Sequence, residues 1–280
     1  MPKVFIAGCG FVGLATARLF HSRGWEVIGA THSPESAAKL APEPFPTLAV
    51  DITDPASLSR LPSFDAVIHC ASSGRSGADA YRHVYLEGAR NLADVLAPKT
   101  LLFTSSTSVY AQTDGSEVTE ASPAEPDRET GRILRETEDF VIARGGIAAR
   151  LAGIYGPGRS VLLKKFFSGE AVIEGDGTRW INQVHRDDIA TALCLLVERS
   201  ARGLFNVSDD RPLPQREIYA WLAQRFERPL PQSGPIDPNR KRGWTHKRVS
   251  NARLRALGWQ PLYPSFFDAV ENDPALLAML

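Results

Sequence analysis

Cysteine, surplus charge and long apolar runs are all scarce in this 280-residue chain, and each scarcity removes a class of protein. The three cysteines, Cys9, Cys70 and Cys194, stand far apart in apolar surroundings. They supply neither a disulfide framework nor a metal-ligand cluster, and they read as buried thiols of a reducing compartment. Lys and Arg number 32 and so do Asp and Glu, for a formal net charge of zero. Affinity for nucleic acid rests on excess Lys and Arg, so no nucleic-acid partner is expected. No apolar run approaches the roughly 18–20 residues that cross a bilayer, so no membrane partner is expected either. Met1-Pro2-Lys3-Val4-Phe5-Ile6-Ala7-Gly8 reaches glycine too soon for a signal-peptide core, which points to a cytoplasmic protein.

With 43% hydrophobic and 23% charged residues, the chain has the composition of a globular protein with a sizeable core. Its first half alternates strand-like and helix-like segments. Short apolar runs at Val4–Ala7, Trp25–Ala30, Thr47–Val50, Ala66–Cys70, Leu101–Thr104 and Ile147–Leu151 read as strands. Between them lie amphipathic stretches, among them one through Phe20, a long one from about Asp79 to Leu96, and Arg128–Arg144. Ser33-Pro34 and Asp54-Pro55 carry the cap-plus-proline signature of a helix start. Regular alternation of this kind predicts a doubly wound α/β fold, a parallel Rossmann sheet covered by helices on both faces. Beyond Gly153 glycine and proline become denser and the elements shorter, which suggests a small C-terminal α+β substrate domain. The predicted division is a dinucleotide-binding domain over 1–155, completed by about 183–208, and a substrate domain over 156–182 and 209–280. The basic run Arg240-Lys241-Arg242-Gly243-Trp244 reads as a solvated loop.

Directly after the first strand, Gly8-Cys9-Gly10-Phe11-Val12-Gly13 spells G-x-G-x-x-G. In this pattern the first glycine makes a tight turn, the second lets backbone approach a pyrophosphate, and the third lets helix and strand pack closely. The helix that follows offers its N-terminal N–H groups and positive dipole end to the anion. An acidic residue ending strand two would bind a ribose and repel a 2′-phosphate. Ala30-Thr31-His32-Ser33 stands there instead, and the hydroxyls of Thr31 and Ser33 with the imidazole of His32 favour NADP(H) over NAD(H).

Six segments in order are similar to the extended short-chain dehydrogenase/reductases, which include NAD-dependent epimerases and dehydratases. They are Gly8–Gly13; Val50-Asp51; Ile68-His69-Cys70-Ala71-Ser72; Thr104-Ser105-Ser106-Thr107-Ser108-Val109-Tyr110; Arg150–Gly156; and Val184-His185-Arg186-Asp187-Asp188. The resemblance implies that Asp51, with Ile52 beside it, contacts adenine. It implies too that Cys70, Ala71, Ser72 and Thr104 line the cofactor and that Ser106 hydrogen-bonds the reacting oxygen of the substrate. That family's proton-transfer pair is Tyr-x-x-x-Lys on the helix after strand five, where one turn brings the ammonium over the phenol and lowers its pKa. Here the register reads Thr130-Gly131-Arg132-Ile133-Leu134, with Glu138 matching four residues on, and no tyrosine lies between Tyr110 and Tyr155. Threonine titrates far too high to replace a phenol and leucine carries no charge.

The remaining candidates for chemistry are Ser106 and Thr107 on strand five, Tyr155 in the loop after strand six, and His185 before a capped helix. The leading expectation is an NAD(P)-dependent oxidoreductase of atypical extended short-chain type acting on a small polar metabolite. A nucleotide-binding sensor without turnover and a nucleotide-sugar-type epimerase or dehydratase are the alternatives. The expected partner is a small-molecule substrate, with assembly as a homodimer left open.

Overall fold

The computed structural model describes residues 1–74, 77–237 and 244–278, so the basic run Arg240–Gly243 lies outside the described residues. Two compact units emerge. The first comprises Met1–Val109, Pro126–Arg150 and Ile189–Phe205; the second comprises Tyr110–Glu125, Leu151–Asp188 and Asn206–Leu280.

The first unit is built on strands β1 (Lys3–Ala7), β2 (Glu26–Thr31), β3 (Thr47–Ala49), β4 (Ala66–His69) and β5 (Thr100–Ser106). They pair in parallel in the spatial order β3-β2-β1-β4-β5, and Ile147–Leu151 and then Gly203–Val207 extend the sheet beyond β5 to seven strands. Val4, Phe5, Ile6, Ala7, Val67 and Ile68 are wholly buried, as the central strands of a sheet covered on both faces must be. The chain leaves β1 toward β2 and β3 on one side, then returns to β4 and β5 on the other. This is a doubly wound Rossmann sheet, and its strand order reverses at β1, where crevices open beyond the strand ends. Helix α1 (Phe11–Ser22) follows β1, and α2 (Pro34–Lys39) starts at Ser33, whose Oγ accepts the Ser36 N–H at 3.2 Å.

One element differs from the pattern of the sequence. The long helix expected from Asp79 to Leu96 is two α-helical pieces, Ala78–Tyr81 and Gly88–Leu96, joined by a π-helical stretch at Arg82–Glu87. His69 explains part of it. Its Nε2 lies 3.1 Å from the carbonyl oxygen of Val84, so a strand side chain takes up a carbonyl of the widened turn.

The second unit packs Tyr155, Leu163, Phe166, Ile173, Tyr219 and Phe266 into its core, with helices Val161–Phe167, Gln215–Arg225 and Phe266–Asn272 around two-residue and three-residue strands. Residues 110–125, expected in the first unit, belong to this one, and the boundary near 155 moves back to 151. The cause is pairing from far along the chain. Glu117–Val118 forms a parallel ladder with Arg248–Val249, and the Lys247 ammonium donates to the Tyr110 carbonyl at 2.7 Å.

Candidate functional site

The glycine loop is built around three different constraints. Gly8 has φ +98° and lies so close to the Ala71 backbone that no side chain fits. Gly13 sits against the Gly8 carbonyl, where a methyl group would clash with backbone. Gly10, between them, is open: a Cβ there meets nothing within 4 Å. The loop is held by the Gly8 and Cys9 N–H groups donating to the Ala30 carbonyl at 3.0 and 2.7 Å. Gly10 caps α1 and no acidic residue lies in its first turn, so no side-chain charge there opposes an anion at the positive end of the helix dipole. An open cradle in front of a twelve-residue helix fits a pyrophosphate. Phe11 and Val12 form the first turn of that helix.

Around the cradle, Thr31 Oγ1 donates to the Ser33 carbonyl at 3.2 Å, His32 is exposed, and the Ser33 hydroxyl is engaged in capping α2. Asp51 Oδ1 accepts from Thr53 N and Oγ1 at 2.9 and 2.7 Å. Partial burial works to raise its pKa, but these bonds hold the carboxyl below its ordinary value. Ile52 is buried, and its carbonyl accepts from Asn91. Cys70 N donates to the Ala7 carbonyl, and Thr104 Oγ1 to the His69 carbonyl at 3.0 Å. Burial pushes the Cys9 and Cys70 thiols up to about 12, so neither is a nucleophile near neutrality.

At the end of β5, Ser106 is half-buried and its Oγ accepts the Ser108 N–H at 3.2 Å, while Thr107 is buried. This end is anchored from below. Ser105 Oγ donates to Glu138 at 2.5 Å, and Arg150 grips the same carboxylate through Nε at 3.0 Å and Nη2 at 2.6 Å, all of it buried. Glu138 belongs to the helix Glu129–Ala143, whose first turn carries Thr130 half-buried and whose second carries Leu134 buried.

Tyr155 and His185 come together, but as packing. They are register partners in a parallel ladder, their rings 5.3 Å apart in an edge contact, and both are buried in the second unit. His185 Nε2 lies 3.1 Å from Asp273 and Nδ1 accepts the Asp187 N–H, which describes a neutral, fixed imidazole whose pKa burial lowers. Burial likewise pushes the Tyr155 phenol well up. Tyr155 and His185, both candidates for chemistry in the sequence, are thus packed as core residues. Tyr110 is the same kind of residue, its hydroxyl 2.9 Å from both Thr119 O and Asn206 Oδ1. Asp188 accepts from the Leu262 and Tyr263 N–H groups.

Two features are not apparent from the sequence. One is the buried Ser105–Glu138–Arg150 network, of which only Glu138 stands out by its register. The other is Tyr85, whose hydroxyl lies 3.3 Å from Ser72 Oγ; the signal available is the Tyr81-x-x-x-Tyr85 spacing.

Residues 4–208 match the NAD dependent epimerase/dehydratase family. Protein YeeZ of Escherichia coli K12 is 31% identical over 278 residues, covering 94% of this chain and 97% of that protein. A solved structure from Methylobacillus flagellatus superposes with a TM-score of 0.80 at 31% identity, covering 99% of this chain and 98% of that one. The fold is shared with the UDP-glucose 4-epimerase of Thermus thermophilus in complex with NAD, at a TM-score of 0.80, 22% identity and 96% coverage of each chain. On its sequence and on its fold, the chain belongs to the NAD-dependent epimerase/dehydratase family.

Proposed function

We propose that this chain is an NAD(P)-dependent oxidoreductase that reduces a small polar metabolite without the Tyr–Lys pair of the extended short-chain enzymes. The observation that carries it is the open space at Gly10 in front of α1, between two glycines, Gly8 and Gly13, that leave no room for a side chain. In this reading the Gly8–Gly13 backbone holds the pyrophosphate, Asp51 and Ile52 the adenine end, and Cys70, Ala71, Ser72 and Thr104 the inner wall. A bound nicotinamide dinucleotide supplies the electron pair. Ser106 donates a hydrogen bond to the substrate oxygen as negative charge develops there, with Thr107 beside it on the same turn. Thr130 and Leu134 cannot lower a phenol's pKa, which favours reduction of an activated acceptor, a reaction needing less base than alcohol oxidation does. A Streptomyces relative named 3-diazoavenalumate denitrifying reductase, 29% identical over 161 residues and covering 51% of this chain and 53% of that protein, supports the same direction.

The proposed preference is for NADP(H). It rests on the end of β2, where Thr31, an exposed His32 and Ser33 stand in place of a carboxylate that would repel a 2′-phosphate. Thr31→Asp is expected to turn the preference toward NADH, read as the ratio of the two dissociation constants. An unmoved ratio would remove this rim from cofactor choice. The test of the function itself is a metabolite panel offered to the NADPH-loaded protein while nicotinamide absorbance is followed. Net loss of absorbance supports reduction. Product without net loss would mean an epimerase or dehydratase, and binding without product a sensor.

A further inference from the structure

The phenol missing from one helix has a counterpart on the element next to it. Tyr85 lies in the π-helical stretch Arg82–Glu87, a distortion frequent at functional sites. That stretch rests on the helix bearing Thr130 and Leu134, tied to it by Arg82 on Glu136 at 2.9 Å. Three rings fix the Tyr85 ring. His69 is stacked at 6.2 Å between centroids, and Phe103 and Tyr81 make edge contacts at 6.0 and 4.9 Å. His69, the last residue of β4, is the register partner of Phe103 in the middle of β5 and also of Ala7, the last residue before the glycine loop. The Tyr85 ring thus stands beside the end of β4, whose partner Ala7 leads into the glycine loop. Its hydroxyl is left to Ser72 Oγ, 3.3 Å away on the loop after β4, and Ser72 is exposed to solvent.

We propose that Tyr85 is the proton donor of this site. This rests on the nucleotide-dependent reduction proposed above. The Tyr85 O–H bond breaks as an O–H bond forms on the substrate oxygen. The electron pair for the substrate carbon comes from the reduced nicotinamide dinucleotide. The phenolate then recovers a proton from the Ser72 hydroxyl, which takes one from water. His69 acts as a positioning residue: burial lowers its pKa to about 4, so it stays neutral while holding the π turn through Val84.

The test needs no substrate. Ultraviolet difference spectra record phenolate formation during a pH titration of the protein alone, with NADP+ and with NAD+, while calorimetry reports binding. A cationic nicotinamide beside a phenol favours its ionised form, so one tyrosine is expected to ionise at about tenfold higher proton concentration in the complex. That response should vanish in Tyr85→Phe and persist in Tyr81→Phe, with nucleotide affinity and melting temperature unchanged in both. A response that survives in Tyr85→Phe, or none at all while nucleotide is bound, would overturn the proposal and leave the reductase reading standing. Absence of nucleotide binding in the unaltered protein would overturn both.

Discussion

Gly13 touches the carbonyl of Gly8 so closely that any Cβ must displace backbone, whereas Gly10 has room for one. The two glycines of one motif therefore answer to different forces. Gly13→Ala is expected to cost roughly 1–3 kcal/mol of stability or more by overpacking, read from a urea unfolding midpoint. Stability within error of the unaltered protein would mean the helix can move off the strand without penalty. Ser106 is a different case, since its hydroxyl is half-buried at a strand end and packs no core. Ser106→Ala should lower turnover by about 10²-fold while leaving nucleotide affinity alone, as loss of a transition-state donor does. Should turnover stay unchanged in a Ser106→Ala, Thr107→Ala double variant, β5 would have no part in the chemistry.

At the scale of elements, β5 carries the candidate hydroxyls and is fastened from beneath by a buried ion pair. Glu138 receives Ser105, Arg135 and Arg150, and it and Arg150 are almost completely buried. Arg150→Met alone leaves a buried carboxylate short of a partner and should destabilise by roughly 3–5 kcal/mol, whereas Arg150→Met with Glu138→Leu should recover much of it. Denaturant melts of the two variants decide the matter; equal losses would mean the pair is not a unit. The central strands were legible because burial on both faces demands continuous apolar runs, and α2 because Ser33-Pro34 names its own start. The π stretch was not, because helical spacing in Asp79–Leu96 is the same whether or not His69 takes the Val84 carbonyl. Nor was the place of residues 110–125, set by a two-residue ladder to Arg248–Val249 that has no periodicity to read. Tyr155 and His185 sit where loops beyond strand ends suggest chemistry, and only their packing against Phe266 and Tyr263 reveals them as core.

For the molecule as a whole, stability should carry the mark of Lys247, a lysine buried with its ammonium on the Tyr110 carbonyl. Burial, reinforced by the Arg179 charge, lowers its pKa from 10.5 to about 7. Between those values the unfolded chain binds the extra proton, so stability rises with pH across that window. The buried thiols act in the opposite sense above about pH 9, where unfolded cysteines ionise. The rise is therefore best sought from about pH 7 to 9, as a melting temperature that climbs in the unaltered protein and stays flatter in Lys247→Met. Equal slopes would place the lysine in contact with solvent. The claim on which the functional account turns is that the open space at Gly10 holds the pyrophosphate of a nicotinamide dinucleotide. It is tested most directly by titrating NADPH calorimetrically into the unaltered protein and into Gly10→Ala. The account predicts binding to the first and at least about a tenfold loss in the second at an unchanged melting temperature. Equal affinity in the two would contradict it.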